Sequence, residues 1–221
     1  MIEYLWPTPV YIGELPFDSF DMGALRSHVL RRYEAFKAAP PSYPLPEVDC
    51  ALRPQFNLFS PDEEEDAPPV WFEFRRWIDQ IYRAYLAETT GIRNAKDLTI
   101  VARAIPGHYT RKQKRTPPHY HHTCDHVLVV YLDCGQNRQP YAQRDWTIGD
   151  GELILQDPRP MAGFPFWDKV KYIDTSPGLA VLHPSRIWHE TNGFHADGER
   201  VLIAVTLRVE SHNYFDIYQP L

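Results

Sequence analysis

The sequence has little cysteine: Cys50, Cys124 and Cys134 are the only three in 221 residues. An odd number without finger-type spacing argues against a secreted disulfide framework and predicts a reducing compartment. Glycine is also sparse, at 11 residues, and has no period, which excludes a collagen-like chain. Positive charge is in deficit: 23 Lys and Arg face 29 Asp and Glu, for a formal net charge of −6. An acidic chain of this kind is a poor nonspecific binder of nucleic acid or anionic membrane. No apolar run approaches ~18 residues, so no transmembrane helix is expected. Residues 1–9 carry neither a basic n-region nor an apolar h-region and do not read as a signal peptide. The expectation is a cytoplasmic protein with a small-molecule partner, no nucleic acid and no membrane; a homodimer is left open.

What is present is the composition of a folded chain. Hydrophobic residues make up 43% and charged residues 24%, near the globular average. The length favours one domain with a core that needs no disulfide support. Proline stands out at 21 residues, roughly twice the usual share. It predicts many turns and strand ends and few long helices. Ten histidines are also generous for this length.

The N-terminal half reads as helical. Leu25, Val29, Leu30, Tyr33 and Phe36 recur at spacings of three and four, predicting a helix over 22–37 with Asp21 as its N-cap. Residues 39–70 read as loop, with an acidic run at 62–66. A second helix is predicted over 69–88, ending near Gly91, with Trp71, Phe74, Ile78, Tyr82 and Tyr85 on its apolar face. After residue 97 short β-rich runs alternate with turns, at 98–104, 126–132, 152–156, 179–183 and 200–209. Strands without intervening helices point to an antiparallel sandwich or barrel.

Four histidines fall within eight residues, at His119, His121, His122 and His126, directly before the most apolar run of the chain, Val127 to Leu132. In an extended segment, residues two apart face the same way. His119 and His121 therefore form a natural pair of metal ligands at a barrel mouth. His189, which follows a Pro-Ser turn, is the candidate third. His183 lies before that turn, on a strand, and reads as packing or hydrogen-bonding. Two close ligands and one about seventy residues on leave coordination positions open, and open positions mean chemistry. The basic run at 111–115 reads as a solvated loop or a loop facing the substrate.

These residues resemble the 2-oxoglutarate/Fe(II)-dependent oxygenases of the double-stranded β-helix superfamily. Residues 5–11 are similar to the family's Leu-Phe-Pro-Thr-Pro-Val-Tyr start. His119-Tyr120-His121 with Val129-Val130-Tyr131-Leu132 is similar to its His-x-His and Gly-Val-Tyr-Tyr-Leu block. Residues 151–159 look like its Gly-x-Leu-x-Phe-x-Asp-Pro-Arg strand. His183-Pro184-Ser185 and His189 look like its Phe-Pro-Ser-Trp-Leu-x-His block. The resemblance implies a mainly β fold with flanking helices and a double-stranded β-helix, jelly-roll or cupin-like core. It implies one oxygenase domain over 1–221, with a helical part at 1–96 packing on a β core at 97–221.

The resemblance also implies the cofactors Fe(II), 2-oxoglutarate and O2. The implied reaction is hydroxylation of an unactivated C–H in a small-molecule or amino-acid-like substrate, with succinate and CO2 as co-products. Arg200, eleven residues after His189, takes the role of binding the distal carboxylate of 2-oxoglutarate; a guanidinium pairs bidentately and keeps its charge. Tyr131 and Thr206 are the hydroxyl partners proposed for that carboxylate, and Trp188, Tyr120 and Trp167 the pocket walls. The chain departs from the family at two positions. His121 stands where a carboxylate is usual, so the third ligand is either His121 or a carboxylate such as Asp125 or Asp157. Leu202 stands where a Ser is usual. Two alternatives follow: a cupin-like three-His metal dioxygenase or isomerase without 2-oxoglutarate, and a non-catalytic metal-binding module.

Overall fold

The computed structural model describes residues 8–16, 20–38, 56–92, 94–110, 115–137, 150–157, 169–210 and 219–221. Their order is β1 (Tyr11–Glu14), α1 (Met22–Ala38), α2 (Pro61–Glu64), α3 (Pro69–Thr90), a 3-10 turn (Ala95–Asp97), β2 (Ile100–Thr110), β3 (His126–Gln136), β4 (Leu153–Gln156), β5 (Val170–Ile173), β6 (Leu179–Pro184), β7 (Trp188–Thr191), β8 (Asp197–Val209) and β9 (Gln219–Pro220). Trp167, residues 5–7 of the N-terminal signature and the basic run up to Lys114 lie outside the described residues.

Local chemistry sets the helix ends. Asp21 Oδ1 accepts the Ala24 N–H at 2.9 Å, which satisfies a first-turn donor of α1. Pro69 opens α3, where its missing N–H costs nothing. Gly91 closes α3 at φ 68°, a left-handed conformation that suits glycine. Between these ends, Trp71, Phe74, Ile78, Tyr82 and Tyr85 are buried on one face of α3. They share a core with Leu25, Val29 and Phe36 of α1 and with Ala102, Leu128, Val130, Leu182 and Val205 of the strands.

The strands form two sheets. The larger has the order β1-β6-β3-β8-β2-β9 and the smaller β5-β4-β7, with every pairing antiparallel. β3 explains how the layers assemble. Its Leu128, Val130 and Leu132 face the helices, while Val127, Val129 and Tyr131 face the smaller sheet. Both faces are covered, so β3 reads as an unbroken apolar run rather than an alternating one. Leu153, Leu155, Ile173, Val181 and Leu202 complete the core between the sheets. Arg26 ties α1 to this frame through Asp133 at 2.9 Å and Glu199 at 2.6 Å.

Several predicted limits move. The strand expected over 98–104 continues through Pro106 to Thr110. Pro106 faces Ile203 of β8, and β9 pairs only with Val101 and Ala102, so at Pro106 the strand is an edge and loses no ladder bond. Five elements were not expected: α2 within the predicted loop, the 3-10 turn, the four-residue strands β5 and β7, and the two-residue β9. β3 runs past 132 through two irregularities in register, between Tyr131 and Asp133 and between Cys134 and Gln136.

Candidate metal centre

His119 and His189 meet first through their backbones. The His119 N–H donates to the His189 carbonyl at 3.0 Å, and the His189 N–H donates to the His119 carbonyl at 2.9 Å. This is a hydrogen-bonded antiparallel pair, which puts both side chains on one face. Their rings lie 4.2 Å apart. His121, two residues on, returns to that face, and its N–H donates to the Ser185 carbonyl at 2.9 Å. Its ring is 5.1 Å from His119 and 5.2 Å from His189. One nitrogen of each imidazole lies within 4.8 Å of the other two, close enough to hold a metal ion.

The environment prepares these nitrogens. His119 Nδ1 lies 2.9 Å from the Pro117 carbonyl, and His189 Nδ1 lies 3.0 Å from the Ile187 carbonyl. A carbonyl accepts, so in each ring Nδ1 carries the proton and Nε2 the lone pair. Burial pushes His189 down to about 2 and His121 down to about 3, with neighbouring imidazoles adding to the effect. Burial also lowers His119. All three are therefore neutral at pH 7, the state a metal requires. Three neutral imidazoles suit iron, zinc, copper or nickel.

Arg200 lies on the inward face of β8 and is 1% exposed. Its Nη1 donates to the Gly151 carbonyl at 3.1 Å and its Nη2 to Thr191 Oγ1 at 3.3 Å. The guanidinium lies 4.3 Å from the Tyr109 ring centre, and its Nε has no hydrogen-bond partner. Among the described residues no carboxylate pairs with this buried cation. A guanidinium buried without a counter-ion is costly, and the site is chemically suited to an anion. Thr191 and His189 share a face of β7 two residues apart, roughly 7 Å along the strand. The cation and the histidine group are thus one step from each other.

The other proposed residues divide. Tyr131 is buried in the core between the sheets, opposite Leu202. Leu202 in turn faces Gly107 across β2 and β8. Thr206 stands six residues beyond Arg200 on β8, roughly 20 Å away in an extended strand. Its hydroxyl donates to the Arg103 carbonyl at 3.3 Å, so it is not a partner of the carboxylate that Arg200 would bind. Neither Asp125 nor Asp157 belongs to the histidine group. Asp125 Oδ2 accepts the Val209 N–H at 2.8 Å. Trp188 and Tyr120 are 42% and 41% exposed and pack on each other at 5.0 Å. Strand alternation turns them away from His189, His119 and His121, so they do not wall the histidine face.

Gly151, Thr191 and Tyr109 contact Arg200, and no local sequence signal marks them as its partners. Thr191 stands two residues after His189, a spacing that gains meaning only because Trp188–Thr191 is a strand. A cavity of about 440 Å³ is lined by His122, Thr123, Cys124, Asp125, Ser185, Arg186 and Arg208, and none of the three clustered histidines lines it. The Ser185 carbonyl bonded to His121 joins its wall to the histidine segment.

Residues 108–206 match the family model described as "Putative 2OG-Fe(II) oxygenase". No curated protein matches the chain. Among solved structures, a prolyl-4-hydroxylase from Pseudomonas putida is similar with a TM-score of 0.56 at 16% identity, over 91% of this chain and 93% of that one. A prolyl hydroxylase from Trichoplax adhaerens, in complex with a hypoxia-inducible-factor peptide, gives 0.54 at 13% identity, over 90% and 83%. AviO1 from Streptomyces viridochromogenes gives 0.52 at 15%, over 94% and 93%. At these identities the likeness concerns the fold, a double-stranded β-helix. The matched stretch takes in His119, His121, His189 and Arg200, so the similarity to 2OG-Fe(II) oxygenases covers both the histidine group and the buried cation.

Proposed function

We propose that this oxidoreductase hydroxylates an unactivated C–H of a small-molecule or amino-acid-like substrate, as one domain in which the 1–96 part packs on the 97–221 core. The observation that carries the reading is the arrangement around β7. His189 and Thr191 share a face, the first bonded to His119 and the second to the buried guanidinium of Arg200. In this reading His119, His121 and His189 hold Fe(II) through three nitrogens, which leaves positions for a chelating keto acid and O2. Iron with 2-oxoglutarate and O2 supplies the oxidising chemistry, with succinate and CO2 as co-products. Arg200 grips the distal carboxylate with the Nε that has no partner in the protein, while the Gly151 carbonyl, Thr191 and the Tyr109 face hold the guanidinium at the depth of the core. Tyr131 shares that inward face and bounds the pocket. The apolar residues between the sheets exclude water.

The test is anaerobic reconstitution with Fe(II) and 2-oxoglutarate, followed by exposure to O2 with candidate amino acids. The expected results are a 2-oxoglutarate-dependent visible band and succinate release. The absence of both overturns the reading. A second reading, a three-His metal dioxygenase or isomerase without 2-oxoglutarate, is favoured by His121 standing where a carboxylate is usual. Stoichiometric iron without the visible band identifies it.

A further inference from the structure

His183 lies on the inward face of β6, after Leu179 and Val181, and is fully buried. Its ring is 4.7 Å from that of His189. Its Nδ1 lies 2.9 Å from the Pro184 carbonyl, so Nδ1 carries the proton, as in His119 and His189. The Nε2 lone pair is therefore fixed, buried and without a hydrogen-bond partner. An apolar ring would fill the same space without leaving a polar atom unsatisfied, which is costly in a core. The arrangement makes sense where a donor is supplied from outside the chain. His119 and His189 do not supply one, because the Nδ1 proton of each is given to a backbone carbonyl. Direct ligation is disfavoured, because the set of nitrogens within 4.8 Å of one another stops at His119, His121 and His189.

We propose that His183 is a fourth imidazole of the centre, a positioning residue whose Nε2 accepts a hydrogen bond from water carried by the metal ion. The proposal rests on the three-histidine reading above. It gives the centre a fixed acceptor on one side of the ion and orients what occupies the open position. Partners of this outer kind change metal affinity by roughly 10–100-fold when removed.

The test uses the full chain, Co(II) alone as the probe, and the variants His183→Phe, His183→Gln and His119→Ala. Metal-free His183→Phe should melt at or above the wild-type temperature, since it removes an unsatisfied atom. Its Co(II) affinity should fall about tenfold or more, with a changed Co(II) visible band from loss of the held water. His183→Gln keeps an acceptor and should recover part of both. Opposite signs for metal-free stability and metal affinity separate this role from simple packing. Wild-type affinity and an unchanged band in His183→Phe overturn the proposal, while loss of Co(II) in His119→Ala leaves the three-histidine site standing. No Co(II) binding by the wild-type chain overturns both. A count of four coordinated imidazoles in the Cu(II)-loaded protein overturns the hydrogen-bonding role.

Discussion

Gly151 lies directly beneath the guanidinium of Arg200. A Cβ at position 151 would stand 2.9 Å from Nη1, and the residue sits at φ 76°. Gly151→Ala therefore adds left-handed strain of roughly 1–2 kcal/mol and displaces the cation. The expected outcome is a 2-oxoglutarate KM raised about tenfold, equivalent to about 1.4 kcal/mol, with metal affinity unchanged. Steady-state kinetics at varied 2-oxoglutarate, with a parallel metal titration, measures both. A normal KM would remove Arg200 from the co-substrate site.

Removing any of the three clustered imidazoles should abolish tight iron binding. His119→Ala and His189→Ala should leave the protein folded and free of stoichiometric metal, as read by elemental analysis and circular dichroism. His121→Asp is expected to behave differently. A carboxylate is itself a good ligand for iron beside two histidines, so this variant should retain iron where His121→Ala does not. Equal metal loss in both would argue that position 121 is not a ligand.

Stability should also depend on pH through His28. The ring is fully buried on α1, 4.9 Å from Trp71, and both its nitrogens lack partners. Burial, with Arg32 and Arg31 adding, pushes it down to about 4, although Asp66 opposes the shift. The unfolded chain binds its proton near pH 6.5, while the folded chain resists until about pH 4. This contribution is therefore complete above pH 6.5 and lost as pH falls toward 4, at about 1.4 kcal/mol per pH unit. Urea melts of wild type and His28→Leu at pH 7 and pH 5 test it. The variant should lose less stability on acidification, and parallel losses would contradict this account.

Leu128 tests the double burial of β3. It is 1% exposed and packs in the core beneath the helices. Leu128→Ala should cost about 2–5 kcal/mol, lowering the midpoint of denaturant unfolding while the metal stoichiometry of the folded fraction is unchanged. A loss under 1 kcal/mol would mean that the helices do not cover that face.

The parts legible in the sequence were those whose signal is local. The 3–4 spacing of Trp71, Phe74, Ile78, Tyr82 and Tyr85 marked α3, and Gly91 marked its end. Spacing of two put His119 and His121 on one face. The parts not legible depend on pairing. β5 and β7 have four residues each, too few for a periodic signal, and exist because both bond to β4. Trp188 and Tyr120 looked like pocket walls because aromatic residues flanked the histidines, but the alternation that gathers the histidines turns their neighbours outward. Thr206 failed for a related reason. It shares β8 with Arg200, but six residues of extended strand separate the two. His183 was read as packing or hydrogen-bonding, and its Nδ1 bond to the Pro184 carbonyl agrees; no sequence signal could reveal that its other nitrogen is left without a partner.

The reciprocal bridge between His119 and His189 has a bearing on how such a site can change. These two residues stand seventy positions apart in the chain, yet main-chain hydrogen bonds alone hold them in register. Main-chain bonds are indifferent to side-chain identity. Side chains around the bridge can therefore be exchanged while the two imidazoles keep their spacing. The spacing of the imidazoles thus belongs to the backbone, and a change of neighbouring side chains leaves it intact.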